Sequence, residues 1–180
     1  MAATPATRPG SPQNSRLRKF FIDQLQEIYW AEQKIFQSLS KLEDAAHSAE
    51  LKQAFNSHLQ ETKNHASRLE KVFQKLGADA TARKCPALER IADEAEEIID
   101  ETEEGTAVRD VGLIFAAQKA EHYEIAAYGG LVQLARILGF TDAAEVMGVT
   151  LAEEKKADSQ LTRIAAGGIN IHAKEEMAED

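Results

Sequence analysis

In the stretch LAEEKKADSQL, Leu151 and Leu161 share one side of a helix, and Glu154 and Asp158 lie between them on that same side. At about 100° per residue the two carboxylates point within roughly 40° of each other, inside the stripe that should face a core. Like charges four residues apart on a helix repel, so the pair needs a cause outside its own helix. The pattern recurs along the chain. Glu32 sits beside Ile28 and Ile35; Glu121 lies in line with Ile114, Ile125 and Tyr128, with Glu124 one turn further on at the stripe's edge. His58 and His65 project near another apolar face, and Glu61 stands at its edge between them. Any one of these residues has an ordinary explanation, in which the stem packs and the polar head reaches water. Taken together they describe carboxylates and imidazole aimed at a common interior. Unpaired buried carboxylates cost several kcal/mol each, so they must be protonated, paired or bound to a cation. The nearby basic residues, Lys34, Lys63, Arg68, Lys155 and Lys156, turn outward from these stripes. A pair of divalent metal ions removes the cost, because carboxylates with one or two imidazoles suit iron or manganese, and zinc as well.

The elements that must carry these side chains follow from the apolar periodicity. Leu17, Phe20, Phe21, Ile28, Ile35, Leu39 and Leu42 predict a helix over about 15–46, capped by Asn14 or Ser15. Leu51, Phe55, Leu59, Leu69, Phe73 and Leu76 predict a second over 49–76, ended by Gly77. The short link between them makes an antiparallel hairpin. A long connection follows, with Cys85-Pro86 and a short acidic helix over 87–103. Helices over 107–138 and 141–166 form a second hairpin, punctuated by Gly139 and by Gly167-Gly168. The expected fold is all-α: a ferritin-like four-helix bundle of two antiparallel hairpins with an extra short helix in the long crossover. Residues 15–168 form the bundle domain, with 1–14 a disordered N-terminal tail and 169–180 a flexible C-terminal tail. The candidate ligands fall near the middle of each long helix, and in antiparallel hairpins of similar length such positions meet at one level.

Composition narrows the partners. The formal charge of −9 argues against nucleic acid or an anionic membrane, which need a cationic face. A single cysteine, Cys85, excludes an internal disulfide and a thiolate zinc site, and fits a reducing, cytoplasmic setting. No run reaches the length of a membrane span and the opening MAATPATRPGSPQNS lacks a signal-peptide core. No nucleophile elbow, phosphate loop or nucleotide fingerprint competes with the metal reading. The acidic run DEAEEIIDETEE reads as a solvated helix face. Tyr29, Trp30, Tyr123 and Tyr128 read as packing residues, although a tyrosine near a redox metal can also carry an oxidising equivalent.

The stretches IYWAEQKI, AFNSHLQET, AAQKAEHYEIAAYGGL and TLAEEKKADSQLT, with KCPALE in the crossover, closely resemble the YciE/YciF-like stress-protein family. The resemblance runs from about residue 17 to 166. It implies a ferritin-like bundle, a homodimer, a dinuclear metal site and a link to bacterial stress responses. Carried over by position, the family pattern supports Glu32, His58, Glu61, Glu121, Glu124, Glu154 and Asp158 as metal ligands, with His65 ranked below His58. The chain departs from the better-known ferritin pattern of a Glu followed three residues later by His. Here His58 precedes Glu61, and Asp158 stands where a ferritin-like relative has His. The Glu121 and Glu124 pair resembles the doubled helix carboxylate of rubrerythrin-like proteins.

The expected grouping sets Glu32, Glu61 and one histidine on one side of two metal ions, and Glu121, Glu124 and Glu154 on the other. With two ferrous ions so held, the most economical reaction is iron oxidation by oxygen or peroxide, a ferroxidase or peroxidase type of oxidoreductase. Two rival classes remain: a non-catalytic helical bundle that binds itself or a partner with vestigial acids, and a protein holding zinc or manganese structurally.

Overall fold

The computed structural model describes residues 15–176. The tail expected at 1–14 and the last four residues, 177–180, lie outside the described residues. Every regular element among those described is helical: α1 (Arg16–Ala45), α2 (Ala49–Leu76), α3 (Pro86–Glu101), α4 (Ala107–Ile137), α5 (Thr141–Ile164) and a short α6 (Asn170–Glu175).

Local chemistry sets the boundaries. Ser15 Oγ accepts from Arg18 N at 3.1 Å and starts α1. Ser48 starts α2 in the same way. Gly77 ends α2 in the left-handed region at φ 61°, where a side chain would be strained. Pro86 opens α3 at a position whose N–H needs no helical partner. Thr106 Oγ1 accepts from Arg109 N at 3.2 Å at the start of α4.

The two hairpins, α1 with α2 and α4 with α5, pack against each other through α2 with α5 and α1 with α4. The short crossover helix α3 lies on α1 and α4. Its approach to α4 is close enough that a Cβ on Gly112 would meet Ile98 Cγ2 at 2.6 Å. Apolar layers fill the bundle, with Phe21, Leu25, Phe55, Phe73, Leu113 and Met147 fully buried. Side chains of this size each contribute about 1.5–3 kcal/mol when removed from water.

The C-terminal end differs from the expectation of a tail beginning at 169. After α5 a widened turn, Ala165–Ile169, leads into α6, and Ile169 is buried. The Glu176 carboxylate accepts from Ala107 N at 2.6 Å and Val108 N at 3.0 Å. These two amides are among those a helix start leaves unpaired, and an anion there is favoured by the helix dipole. The bonds hold the Glu176 carboxyl below its usual range. The fold gives the segment a task, capping α4, that its polar composition does not advertise.

Candidate metal centre

Each long helix of the bundle contributes to one buried polar cluster. α1 supplies Glu32 from between Ile28 and Ile35, α2 supplies His58 and His65, α4 supplies Glu121 and Glu124, and α5 supplies Glu154. All are buried, Glu154 and His65 completely. His58 and His65 are seven residues apart, so both fall on one face of α2. Thr62 between them turns its hydroxyl back to His58 O at 3.0 Å, which satisfies it within its own helix.

The six side chains form two overlapping groups that share Glu154. His58, Glu121, Glu124 and Glu154 bring one donor atom each within 4.8 Å of one another, and so do Glu32, His65 and Glu154. His58 Nε2 stands 3.1 Å from Glu121 Oε1 and 3.6 Å from Glu154 Oε2. His65 Nδ1 stands 2.8 Å from Glu154 Oε1 and 3.5 Å from Glu32 Oε2. Glu154 thus turns one oxygen to each histidine.

Distance alone would suggest ion pairs, but the orientations do not. Of the ten buried side-chain nitrogen and oxygen atoms without a hydrogen-bond partner among the described residues, eight belong to these six side chains. They include both oxygens of Glu154, both nitrogens of His58, Nδ1 of His65 and one oxygen each of Glu32, Glu121 and Glu124. Native interiors rarely leave such atoms unpaired. Lone pairs that converge without pointing at one another are aimed at a third body between them. Among the described residues no lysine or arginine pairs with any of the four glutamates. Four carboxylates and two neutral imidazoles carry the charge that two divalent cations balance. The donor set fits a metal of the iron or manganese kind.

Electrostatics agree. Burial raises the pKa of Glu32, Glu121 and Glu124, Glu121 to about 7. Burial works to lower His58 and His65, yet the facing carboxylates win: His58 rises well above the ordinary value and His65 to about 10. In the absence of a metal, protons carry the compensating charge.

A second layer fixes the histidines. Glu153 Oε2 lies 2.9 Å from His65 Nε2, and Arg68 grips Glu153 at both oxygens, with Nη2 to Oε1 at 3.0 Å. Arg68 holds the Glu153 carboxyl below its usual range, so that carboxylate can only accept. In the neutral ring that binds a metal, Nε2 of His65 must then carry the hydrogen, which leaves the Nδ1 lone pair facing the cluster. On the other histidine, Glu61 Oε2 stands 3.6 Å from His58 Nδ1, and Glu61 Oε1 accepts from Lys156 Nζ at 3.2 Å. Tyr128, fully buried, donates to Glu32 Oε1.

The structure therefore brings together Glu32, His58, Glu121, Glu124 and Glu154 of the expected ligands, and adds His65 at the centre. It places Glu61 in the outer layer, half-buried, with its carboxyl held at about 2 by the His58 ring. Asp158 lies outside both groups, one turn beyond Glu154. Its Oδ1 is 3.1 Å from Gln118 Nε2 and 3.2 Å from His122 Nε2 on α4. The expected grouping, with Glu32 and Glu61 opposite Glu154, gives way to one in which Glu154 faces both sides. The seven-residue spacing of the two histidines was the signal for His65. Nothing local marked Glu153 or Arg68, because their pairing joins α5 to α2 across the fold.

Comparison with known proteins decides the family. Residues 16–174 match the family described as Domain of unknown function (DUF892). The chain is 43% identical over 155 residues to Protein YciF of Escherichia coli K12, covering 86% of this chain and 93% of that protein. It belongs to the DUF892 family. The crystal structure of the E. coli stress protein YciF superposes on this DUF892 chain with a TM-score of 0.82 at 41% identity, covering 87% and 98% of the two chains. YcfI from Rhodopseudomonas palustris gives a TM-score of 0.80 at 36% identity, over 82% and 94%. A dodecameric thioferritin from Bacteroides fragilis, 17% identical, gives 0.66 over 88% and 92%, a likeness of fold alone. This DUF892 member is an all-helical, ferritin-like bundle, and no helix among its described residues is long and apolar enough to cross a membrane.

Proposed function

We propose that the protein is a dinuclear metal carboxylate protein of the stress-related kind, oxidising ferrous iron with oxygen or peroxide. The observation that carries the reading is that six buried side chains from the helices of both hairpins, all with unpartnered polar atoms, bring one donor atom each within 4.8 Å of one another in two groups that share Glu154. His58, Glu121 and Glu124 would hold one metal ion, Glu32 and His65 the other, and Glu154 would bridge them. When bound, two ferrous ions supply one electron each, reducing dioxygen with two protons to hydrogen peroxide, or hydrogen peroxide with two protons to two waters.

The chain's own residues set the conditions. Glu153 and Arg68 hold the His65 ring with Nδ1 inward. Tyr128 holds Glu32 by its hydroxyl and closes that side of the cluster to water. Glu124 has no bond to any neighbour on its buried Oε1, so it is free to turn as the charge between the helices changes. Glu61 and Lys156, nearer to solvent, stand where protons enter or leave through His58. The identity to the E. coli stress protein supports the stress role, and the one buried thiol, Cys85, supports a cytoplasmic setting. The family resemblance favours a homodimer, and sedimentation at micromolar concentration tests it.

A structural role has been suggested for the R. palustris relative, which favours a second reading: a metal site that binds without turnover. Ferrous oxidation followed by absorbance, in the natural protein and in Glu121→Ala and Glu154→Ala, separates the two. Oxidation that both substitutions abolish supports catalysis. Rates unchanged in both contradict it.

A further inference from the structure

Between α1, α3 and α4 the packing leaves a cavity of about 30 Å³. Its walls are aliphatic, among them Leu39, Leu88, Ala92, Ala117 and Ala120, and one carboxylate, Glu121, forms part of them. A void needs only about 10–15 Å³ to admit a water molecule, so this one has room for a small occupant. Water, however, needs two to four polar partners. Its two polar residues are Ser38 on α1 and Glu121 on α4, and Ser38 Oγ and Glu121 Oε2 lie buried rather than on the face of the void, which leaves an aliphatic lining with no partners for water. Apolar cavities stay dry and take apolar solutes, xenon being the familiar example. Alanines line the space where leucine would fill it, and interiors seldom leave such room unfilled.

Position gives the void a direction. Glu121 is both its carboxylate wall and a member of the donor group that surrounds His58. The half-buried Ala120 and Ile91 line it nearer the surface, where α3 lies across the hairpins. We infer that this cavity is a binding site for a small apolar gas, dioxygen, and serves as its antechamber, opening at Glu121 onto the metal centre. The delivery of oxidant rests on the proposed ferroxidase reading; occupancy by an apolar gas does not.

Crystals of the metal-free protein under xenon pressure test the occupancy. The expected result is xenon between α1, α3 and α4, absent in Ala92→Leu and Ala120→Leu. The half-buried Ala120→Leu keeps the test open should the buried Ala92→Leu fail to fold. Oxygen-driven ferrous oxidation should fall severalfold in these variants, with metal content and peroxide-driven oxidation unchanged. An empty cavity under xenon, or an ordered water that xenon does not displace, overturns the inference. So does a variant that loses xenon and keeps its oxygen-driven rate. If the natural protein oxidises ferrous iron with neither oxidant, the ferroxidase reading fails, and the xenon result decides the gas site by itself.

Discussion

Asp110 and Glu124 are buried acids on the same helix, each 1% exposed, and the structure treats them oppositely. Asp110 accepts from His47 N at 2.7 Å and Ser48 N at 2.8 Å, tying the start of α4 to the turn between α1 and α2. Its burial is explained by the amides it satisfies. Glu124 has a buried oxygen with no partner, and it faces Glu121, Glu154 and His58. A buried acid with its own donors is part of the scaffold. One without them waits for something the chain does not contain. The same contrast separates the ends of the bundle from its centre, and it can be broken or sharpened by experiment.

The largest effect should follow Glu154→Ala, which removes the side chain shared by both groups. Metal content of the purified protein, by elemental analysis, should drop from two ions per chain to near none. Retention of both would end the bridging role.

Next comes the direct contrast. Asp110→Ala strands two amides and should cost about 3 kcal/mol of unfolding free energy while leaving metal stoichiometry intact. Glu124→Gln should change the stability of the metal-free protein by less than about 1 kcal/mol yet weaken metal binding. Denaturant titration and calorimetry read the two effects. If both variants behave alike, the distinction between scaffold and site acids is empty.

Within the outer layer, Glu153→Gln replaces the carboxylate that accepts from His65 and Arg68 with a neutral amide, and should lower metal affinity by about 10–100-fold. Glu61→Gln should cost less, because its contact to His58 is longer, at 3.6 Å, and its side chain is 30% exposed. A reversed order would move the tighter half of the site to His58.

The pH dependence carries a sign. In the metal-free protein Glu121 titrates at about 7 against an ordinary 4.5, and His65 at about 10 against 6.5. In both cases the folded state binds protons more tightly than the unfolded chain. Their contributions are therefore complete at low pH and are lost as pH rises through about 7 for Glu121 and about 10 for His65. Thermal unfolding without metal should fall off across that window, and added divalent metal should flatten the decline while releasing protons on binding. A metal-free protein whose stability climbs from pH 5 to 9 would contradict this.

The smallest effect is expected at Asp158. Its partners Gln118 and His122 lie toward the surface, so Asp158→Asn should leave metal content unchanged and shift stability by no more than about 0.5 kcal/mol.

The helices and several of their ends were legible in the sequence because apolar spacing, Ser15 and Gly77 act locally. Glu32, His58, Glu121, Glu124 and Glu154 were legible for a related reason: a charge inside an apolar stripe conflicts with its own helix. Glu61 at a stripe's edge and Asp158 within its stripe share that conflict, and a rotation of a few tens of degrees decides between the interior and a neighbouring helix. Periodicity does not fix the rotation, and packing does. The Arg68–Glu153 clamp and the Glu176 cap join residues 85 and 68 or more positions apart, and no local pattern encodes such partners.

Crystals grown anaerobically with ferrous iron, with diffraction recorded on both sides of the iron absorption edge, test the central claim most directly. Two anomalous peaks are predicted: one among His58 Nε2, Glu121, Glu124 and Glu154, the other among His65 Nδ1, Glu32 and Glu154. No peak at the bundle centre, with the glutamates turned instead to protein donors, would contradict the account.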